Sequence, residues 1–130
     1  MIAGVGTDIA QIARIKASWS RNGAAFAQKI LGADEYHEFQ QRSTKSEERG
    51  LRYLASRFAA KEAFSKAMGC GFRAPMSWHG LQILNDDQGK PVIQLAQHLH
   101  VWMAERQLQA QISLSDELDY ALAFVIFERS

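Results

Sequence analysis

The sequence contains few residues that cross-link a chain or bind a metal: one cysteine, four histidines and two prolines among 130 residues. Cys70 has no partner for an internal disulfide, which excludes the disulfide-rich scaffold of many small secreted domains. The histidines do not combine with Cys70 at the spacing of a zinc site, which excludes a structural zinc domain. A single free cysteine is typical of a cytoplasmic protein, and we expect that compartment.

An excess of charge of one sign and a long apolar run are also missing. Fifteen basic and fourteen acidic residues leave a net charge of +1, so the whole molecule has no field that favours nucleic acid. No apolar stretch approaches the length of a membrane span, and the first eight residues lack the pattern of a secretion signal. We therefore expect neither nucleic acid nor membrane as a partner.

What the chain does contain is the composition of one globular domain. With 47% apolar and 22% charged residues, residues 1–130 suffice for one core and not for two. The apolar pattern predicts an α+β domain in the order strand, three or four helices, hairpin, helix, two strands. Strands are predicted at 2–9, 81–84, 92–95, 111–115 and 120–128, helices at 9–22, 26–30, 34–42, 49–68 and 95–108, and a surface loop at 43–48.

Three of these elements have unusual patterns. In the first strand, Gly4 and Gly6 alternate onto the same face as Asp8, so the glycines clear space beside the aspartate. In the fourth helix, Glu62 occupies a position of the apolar stripe where an apolar residue is expected. In the last strand both alternating sets between residues 120 and 127 are apolar, which is typical of a strand covered on both faces.

Two carboxylates lie in segments of the chain whose other charged residues are all basic. Residues 1–32 hold four basic residues and one acid, Asp8, and residues 51–71 hold four basic residues and one acid, Glu62. Magnesium is commonly held by one or two carboxylates together with substrate phosphates, while lysine or arginine neutralises the remaining charge. Lys66 lies one helical turn after Glu62. The set fits a phosphate site with magnesium, and an ordinary surface ion pair between Glu62 and Lys66 is the alternative.

Three segments in this order and spacing resemble a known family. They are residues 4–9 (GVGTDI), residues 57–69 (RFAAKEAFSKAMG), and Asn85-Asp86 followed by Gly89-Lys90-Pro91. Over essentially its whole length the chain resembles the holo-acyl-carrier-protein synthases, which are 4′-phosphopantetheinyl transferases. The segment around Lys61-Glu62 is highly specific, whereas the first segment alone would be weak.

The resemblance implies the 4′-phosphopantetheinyl transferase fold and a reaction in fatty acid biosynthesis. The reaction would move 4′-phosphopantetheine from coenzyme A to a serine of apo acyl carrier protein and release adenosine 3′,5′-bisphosphate. Asp8 and Glu62 would hold Mg²⁺ on the pyrophosphate, and Lys66 would complete the catalytic set by stabilising phosphate charge. The general base stays open, with Glu62 acting through a metal-bound water as the preferred candidate.

The resemblance also implies which residues bind the coenzyme A nucleotide: Arg49, Arg57, Ser65, Lys66 and Gly69. Each of these residues also has a possible structural role. Either arginine could be a solvated charge on a helix, Ser65 could be an ordinary serine on a helix face, and Gly69 could be the C-cap of a helix. The chain departs from the common family pattern at Asp116, where many members have a histidine that helps to bind the adenosine end. Asp116 cannot supply a cation there.

An acidic acyl carrier protein is the implied partner, docking on the first helix through Arg14, Lys16 and Arg21. A merely solvated basic helix is the alternative. The resemblance further implies a homotrimer with active sites between protomers. One apolar face of the last strand would meet another subunit, unless the chain's own helices cover it.

The sequence is also compatible with a second class of function. A noncatalytic module could bind a nucleotide or an acidic protein through the basic helices. Such a module would gain nothing from Asp8 and Glu62 among its cations, so the sequence favours the enzyme.

Overall fold

The structure, a computed structural model, describes residues 1–130 and contains five strands and five helices. The strands are β1 (Ile2–Gln11), β2 (Leu81–Asn85), β3 (Pro91–Leu95), β4 (Leu108–Asp116) and β5 (Tyr120–Arg129). The helices are α1 (Ile12–Asn22), α2 (Ala24–Ile30), α3 (Ala33–Lys45), α4 (Glu47–Met68) and α5 (Gln97–Glu105). The predicted α+β class and element order are confirmed, with four helices before the hairpin. None of the helices is both long and apolar enough to cross a bilayer.

The strands form two antiparallel units. β5 lies between β1 and β4 in a three-stranded sheet, while β2 and β3 form a separate hairpin. In the hairpin loop Asp86 Oδ1 accepts hydrogen bonds from the backbone N–H groups of Gln88 and Lys90, both at 2.9 Å. This local network closes the longer loop that the sequence predicted between the two strands.

Two predicted boundaries are wrong. The expected surface loop at 43–48 is helical except at Ser46, whose hydroxyl accepts a hydrogen bond from Arg49 N at 3.1 Å and caps α4. The lysine and glutamate residues around Ser46 have high helix propensity, so the polarity of this segment does not distinguish a surface loop from a helix. The second wrong boundary lies between α5 and β4. The helix ends at Glu105 instead of near residue 108, and Gln107, with φ of 58°, turns the chain so that β4 begins at Leu108 instead of residue 111.

Helix α4 is the centre of the core. It packs on β1 and β5 on one side and on α3 on another. Ala59, Ala60 and Ala63 are completely buried, and their small side chains permit close approach of the neighbouring elements. Phe58 and Glu62 are only half-buried, so these two positions of the predicted stripe lie at the margin of the core, whereas Leu51 and Leu54 of the same stripe are buried.

Two glycines allow β1 to lie directly against α4. A Cβ at Gly6 would overlap the carbonyl oxygen of Ala63, and a Cβ at Gly4 would lie 2.5 Å from Ala67 O. Both glycines share the inward face of β1 with Asp8, as predicted. The space they clear is filled by the backbone of α4, so Asp8 is brought up to that helix.

A buried ion pair attaches α4 to the elements on its other side. Lys61 and Glu35 are both fully buried, with Lys61 Nζ 2.6 Å from Glu35 Oε1. The ammonium also donates to Ile30 O and Trp78 O, and the carboxylate accepts backbone N–H bonds from the start of α3 and from β2. With these partners the charges are compensated, so the pair joins α2, α3 and β2 to α4.

The outer face of the three-stranded sheet is apolar and uncovered within one chain. Ala121, Ala123, Val125 and Phe127 of β5 point into the core. On the other face of the sheet the exposed fractions are 43% for Tyr120, 44% for Leu122, 39% for Phe124 and 61% for Ile9. Ile9 pairs directly with Leu122 in the sheet register. The alternative in which the chain's own helices cover both faces of β5 is therefore wrong.

We predict that Gly6→Ala destabilises the protein by about 2 to 3 kcal/mol, because the new Cβ must displace the backbone of α4. Gly80→Ala is the matched control. Its Cβ would meet only side-chain atoms, the nearest being Ser77 Oγ at 2.9 Å, and we expect a cost below about 1 kcal/mol. Urea denaturation of both variants measures the difference. Equal stabilities would contradict the close packing of β1 on α4.

Candidate active site

The three residues predicted as catalytic lie together where β1 packs on α4. Lys66 Nζ is 3.1 Å from Asp8 Oδ1 and 2.9 Å from Thr7 O. Glu62 precedes Lys66 by one helical turn, which places both on the same side of α4. The Asp8 side chain is 17% exposed and that of Lys66 is 53% exposed. The cluster is therefore open to a ligand from solvent.

The electrostatics of this carboxylate cluster favour a divalent cation. Burial raises the pKa of the Glu62 carboxyl, the neighbouring Asp8 carboxylate raises it further, and Lys66 lowers it. A cation held between two carboxylates removes their mutual repulsion, and carboxylate oxygens are the ligands that Mg²⁺ prefers. The structure contains no group of three or more histidine, cysteine, aspartate or glutamate side chains arranged to hold a metal ion by themselves. The remaining ligands of a magnesium ion at Asp8 and Glu62 would therefore come from substrate and water.

The predicted nucleotide-binding arginines lie in a second region, along the N-terminal half of α4. Arg57 is 3% exposed, burial lowers its pKa, and its guanidinium donates to Ile83 O at 2.9 Å and to Asn85 Oδ1 at 2.7 Å. Beside it opens a cleft of about 210 Å³, which we call the arginine cleft. Its charged lining residues are Arg42, Arg52, Arg57 and Asp116. Arg49 lines an adjoining cleft that shares Arg42, Arg52 and Asp116.

Asp116 enters the arginine cleft from the end of β4. Arg42 and Arg52 line the same cleft, so Asp116 lies among cationic side chains. Neither arginine is distinguishable in the sequence as a cleft residue, since charges on helices are usually solvated. Arg42 belongs to α3 and Arg52 to α4, so only the packing of these two helices brings them together.

Ser65 and Gly69 have structural roles. Ser65 is 2% exposed, and its hydroxyl donates to Glu62 O at 2.7 Å. Gly69 caps α4 with φ of 85° and donates its N–H to the last turn, as the C-cap pattern predicted. The nucleotide contacts expected for these two residues stay predictions, and the burial of Ser65 gives that contact no support.

A third cleft begins at Asp8 and continues along α1. Arg14 lines it, together with the aromatic rings of Phe26 and Phe58. Arg14, Lys16 and Arg21 are all exposed, as predicted. The helix itself carries no acid, but Lys16 Nζ lies 4.0 Å from a carboxylate oxygen of Glu47 on α4. Arg14 is thus the member of the basic set that lies beside the carboxylate cluster.

Comparison with known sequences matches nearly the whole chain. The model of the 4′-phosphopantetheinyl transferase superfamily matches residues 4–125. A holo-[acyl-carrier-protein] synthase of Cupriavidus taiwanensis is 51% identical over 130 residues, which are 100% of this chain and 93% of that relative.

Two solved structures share the fold. The holo-[acyl-carrier-protein] synthase from Neisseria meningitidis has a TM-score of 0.91 and 42% identity, covering 99% of this chain and 100% of that chain. The synthase from Bacillus anthracis, solved in complex with CoA (3′,5′-ADP), has a TM-score of 0.81 and 31% identity, covering 100% of this chain and 99% of that chain. The likeness therefore extends over the whole fold.

Proposed function

The chain belongs to the 4′-phosphopantetheinyl transferase superfamily, and from that premise we propose how its residues perform the reaction. Its activity is that of a holo-acyl-carrier-protein synthase, which transfers 4′-phosphopantetheine from coenzyme A to apo acyl carrier protein. The proposal rests on one observation: the side chains of Asp8, Glu62 and Lys66 lie together in a cluster that is accessible from solvent. A noncatalytic binding module has no use for this arrangement.

Asp8 and Glu62 would hold Mg²⁺ in the working enzyme. When bound, the ion would neutralise negative charge on the pyrophosphate of coenzyme A. The support is the donor set itself: two carboxylates close enough that Asp8 raises the pKa of Glu62. Lys66, in contact with Asp8, adds a fixed positive charge beside the phosphates.

The transfer forms one phosphorus–oxygen bond and breaks another. The serine oxygen of the carrier protein attacks the phosphorus that bears pantetheine, and the bond from this phosphorus to the bridging oxygen breaks. Adenosine 3′,5′-bisphosphate leaves, and Lys66 stabilises its new negative charge. Glu62, acting through a water molecule, is the preferred acceptor of the serine proton. Positioning and charge neutralisation supply most of the acceleration.

We predict that Asp8→Asn and Glu62→Gln each lower the transfer rate at least about a hundredfold, the usual effect of losing one preorganised charge-stabilising group. Both variants should remain folded. Glu105→Gln, on the exposed surface of α5, is the matched control and should transfer at the wild-type rate. Intact-mass analysis of the carrier protein measures the rate. Asp8 and Glu62 variants within a few fold of wild type would disprove the metal assignment.

The arginine cleft and Arg49 bind the nucleotide phosphates. Arg57 has five N–H donors, and three hydrogen bonds, to Ile83 O, Ser56 Oγ and Asn85 Oδ1, occupy only part of this capacity. Its buried position fixes the guanidinium before any ligand arrives, which lowers the entropic cost of binding. Arg42, Arg49 and Arg52 supply further positive charge at the mouth of the cleft.

The acyl carrier protein docks on α1. This helix exposes Arg14, Lys16 and Arg21, and acyl carrier proteins are acidic, so the charges are complementary. Arg14 also lines the cleft that contains Asp8. A carrier bound at Arg14 therefore presents its serine next to the carboxylate cluster.

Reversing the charge with Arg14→Glu should raise the KM for the carrier protein about tenfold or more and weaken the salt dependence of that KM. The affinity for coenzyme A should change little. Arg106→Glu, at the end of α5, makes the same charge change away from α1 and should leave the KM unaltered. Unchanged carrier kinetics for Arg14→Glu across salt concentrations would count against this docking face.

The enzyme assembles as a homotrimer through the outer face of its sheet. The exposed apolar residues of this face lie side by side on β1 and β5, and soluble monomers rarely expose such a contiguous patch. Each active site then lies in a cleft between neighbouring protomers, so assembly is needed for activity as well as for stability.

Charged substitutions on the two faces of β5 should separate assembly from folding. Phe124→Asp, on the outer face, should give a folded monomer with little activity, whereas Val125→Asp, fully buried, should unfold the chain. Light scattering coupled to size exclusion measures the mass, and circular dichroism measures folding. A wild-type monomer that is fully active at the assay concentration would refute the shared active site.

The enzyme acts in fatty acid biosynthesis in the cytoplasm. Its product carries the phosphopantetheine arm on which acyl chains are held, and its single cysteine, Cys70, is unpaired, which fits a reducing compartment. The near-zero net charge fits an enzyme whose partners are coenzyme A and a carrier protein rather than nucleic acid or membrane.

A further inference from the structure

The Lys66 ammonium lies against a carboxylate that would also hold the metal ion. Its Nζ is 3.1 Å from Asp8 Oδ1 and 2.9 Å from Thr7 O. It also lies close enough to Glu62 to lower the pKa of that carboxyl. An ammonium and a divalent cation repel each other at such distances. Lys66 and a metal ion therefore compete for the Asp8 carboxylate.

The two members of the ion pair differ in their freedom to move. The Asp8 side chain is 17% exposed, whereas that of Lys66 is 53% exposed and ends a flexible four-carbon stem. An ion pair exposed to solvent contributes little stability, so it breaks at little cost. Lys66 is therefore the partner that moves, and the carbonyl of Thr7 provides an acceptor that keeps its ammonium beside the site.

We propose that Lys66 couples the binding of the metal ion to the binding of coenzyme A. Its ammonium competes with the ion for Asp8 and gives up that carboxylate when a substrate phosphate replaces it. In this exchange Asp8 gains the metal ion and Lys66 gains a phosphate oxygen, a strong acceptor for an ammonium. The inference rests on the proposed function and adds a second role for a residue already placed in the site.

The balance of charge explains why the exchange needs both ligands. Lys66 already compensates part of the negative charge of Asp8 and Glu62. A divalent ion bound alone would make the cluster net positive and leave the displaced ammonium without a new anionic partner. The pyrophosphate of coenzyme A restores negative charge and supplies that partner. Metal affinity should therefore be low for the enzyme alone and rise when coenzyme A binds.

The test measures the Mn²⁺ affinity of the full-length protein by electron paramagnetic resonance, with and without saturating coenzyme A. Lys66→Met removes the charge and keeps an unbranched side chain that favours a helix. Lys29→Met, at an exposed position in the last turn of α2, makes the same change as the matched control. Mn²⁺ held by coenzyme A alone is measured in buffer and subtracted.

Without coenzyme A, we expect Lys66→Met to bind Mn²⁺ about tenfold or more tightly than wild type, because the competing ammonium is gone. With coenzyme A the two proteins should differ little, since Lys66 of the wild type has already exchanged partners. Lys29→Met should match the wild type in both conditions. Lys66→Ala removes the same ammonium and should behave like Lys66→Met, and urea denaturation checks that each variant is folded.

Unchanged Mn²⁺ affinity of folded Lys66→Met in the absence of coenzyme A would overturn the inference. An equal gain with and without coenzyme A would also overturn it, because Lys66 would then act only as a general positive charge. The same gain in Lys29→Met would have that meaning too. Failure of the proposed function would be seen separately, as absence of transfer by the wild-type enzyme, whereas failure of the inference leaves wild-type transfer intact.

Discussion

The contact between β1 and α4 determines the position of every catalytic group. Gly4 and Gly6 have no side chains, so the backbone of the strand lies against the backbone of the helix. Asp8, on the same face of β1, arrives beside Lys66, which follows Glu62 by one helical turn. A side chain at either glycine would separate the strand from the helix and move the Asp8 carboxylate away from its partners. The proposed metal site is thus a consequence of backbone packing.

The same helix connects the two charged regions of the molecule. Its C-terminal half carries Glu62 and Lys66, and its N-terminal half carries the arginines that line the arginine cleft. Between them, Lys61 and Glu35 attach α4 to α3 and β2 through a fully hydrogen-bonded buried pair. The helix therefore holds the two regions at a fixed separation, with Arg57 directed to β2 and Lys66 directed to β1.

Local patterns in the sequence predicted one part of this arrangement and missed another. The alternation of Gly4, Gly6 and Asp8, and the one-turn spacing of Glu62 and Lys66, are set within single elements, so they could be predicted. The burial of Lys61 and the meeting of Arg42 with Arg52 in the arginine cleft depend on how α3 packs on α4. A charged residue on a helix looks the same in sequence whether it faces solvent or a neighbouring helix.

Metal binding measured in the presence of coenzyme A tests this account most directly. Electron paramagnetic resonance of Mn²⁺, used in place of Mg²⁺, reports how tightly the ion is held by the wild-type enzyme and by folded Gly6→Ala. The account predicts a single tightly bound ion in the wild type. In the variant it predicts an affinity at least about tenfold weaker, because Asp8 is displaced from Glu62. Equal affinities would show that the close approach of β1 to α4 does not build the metal site.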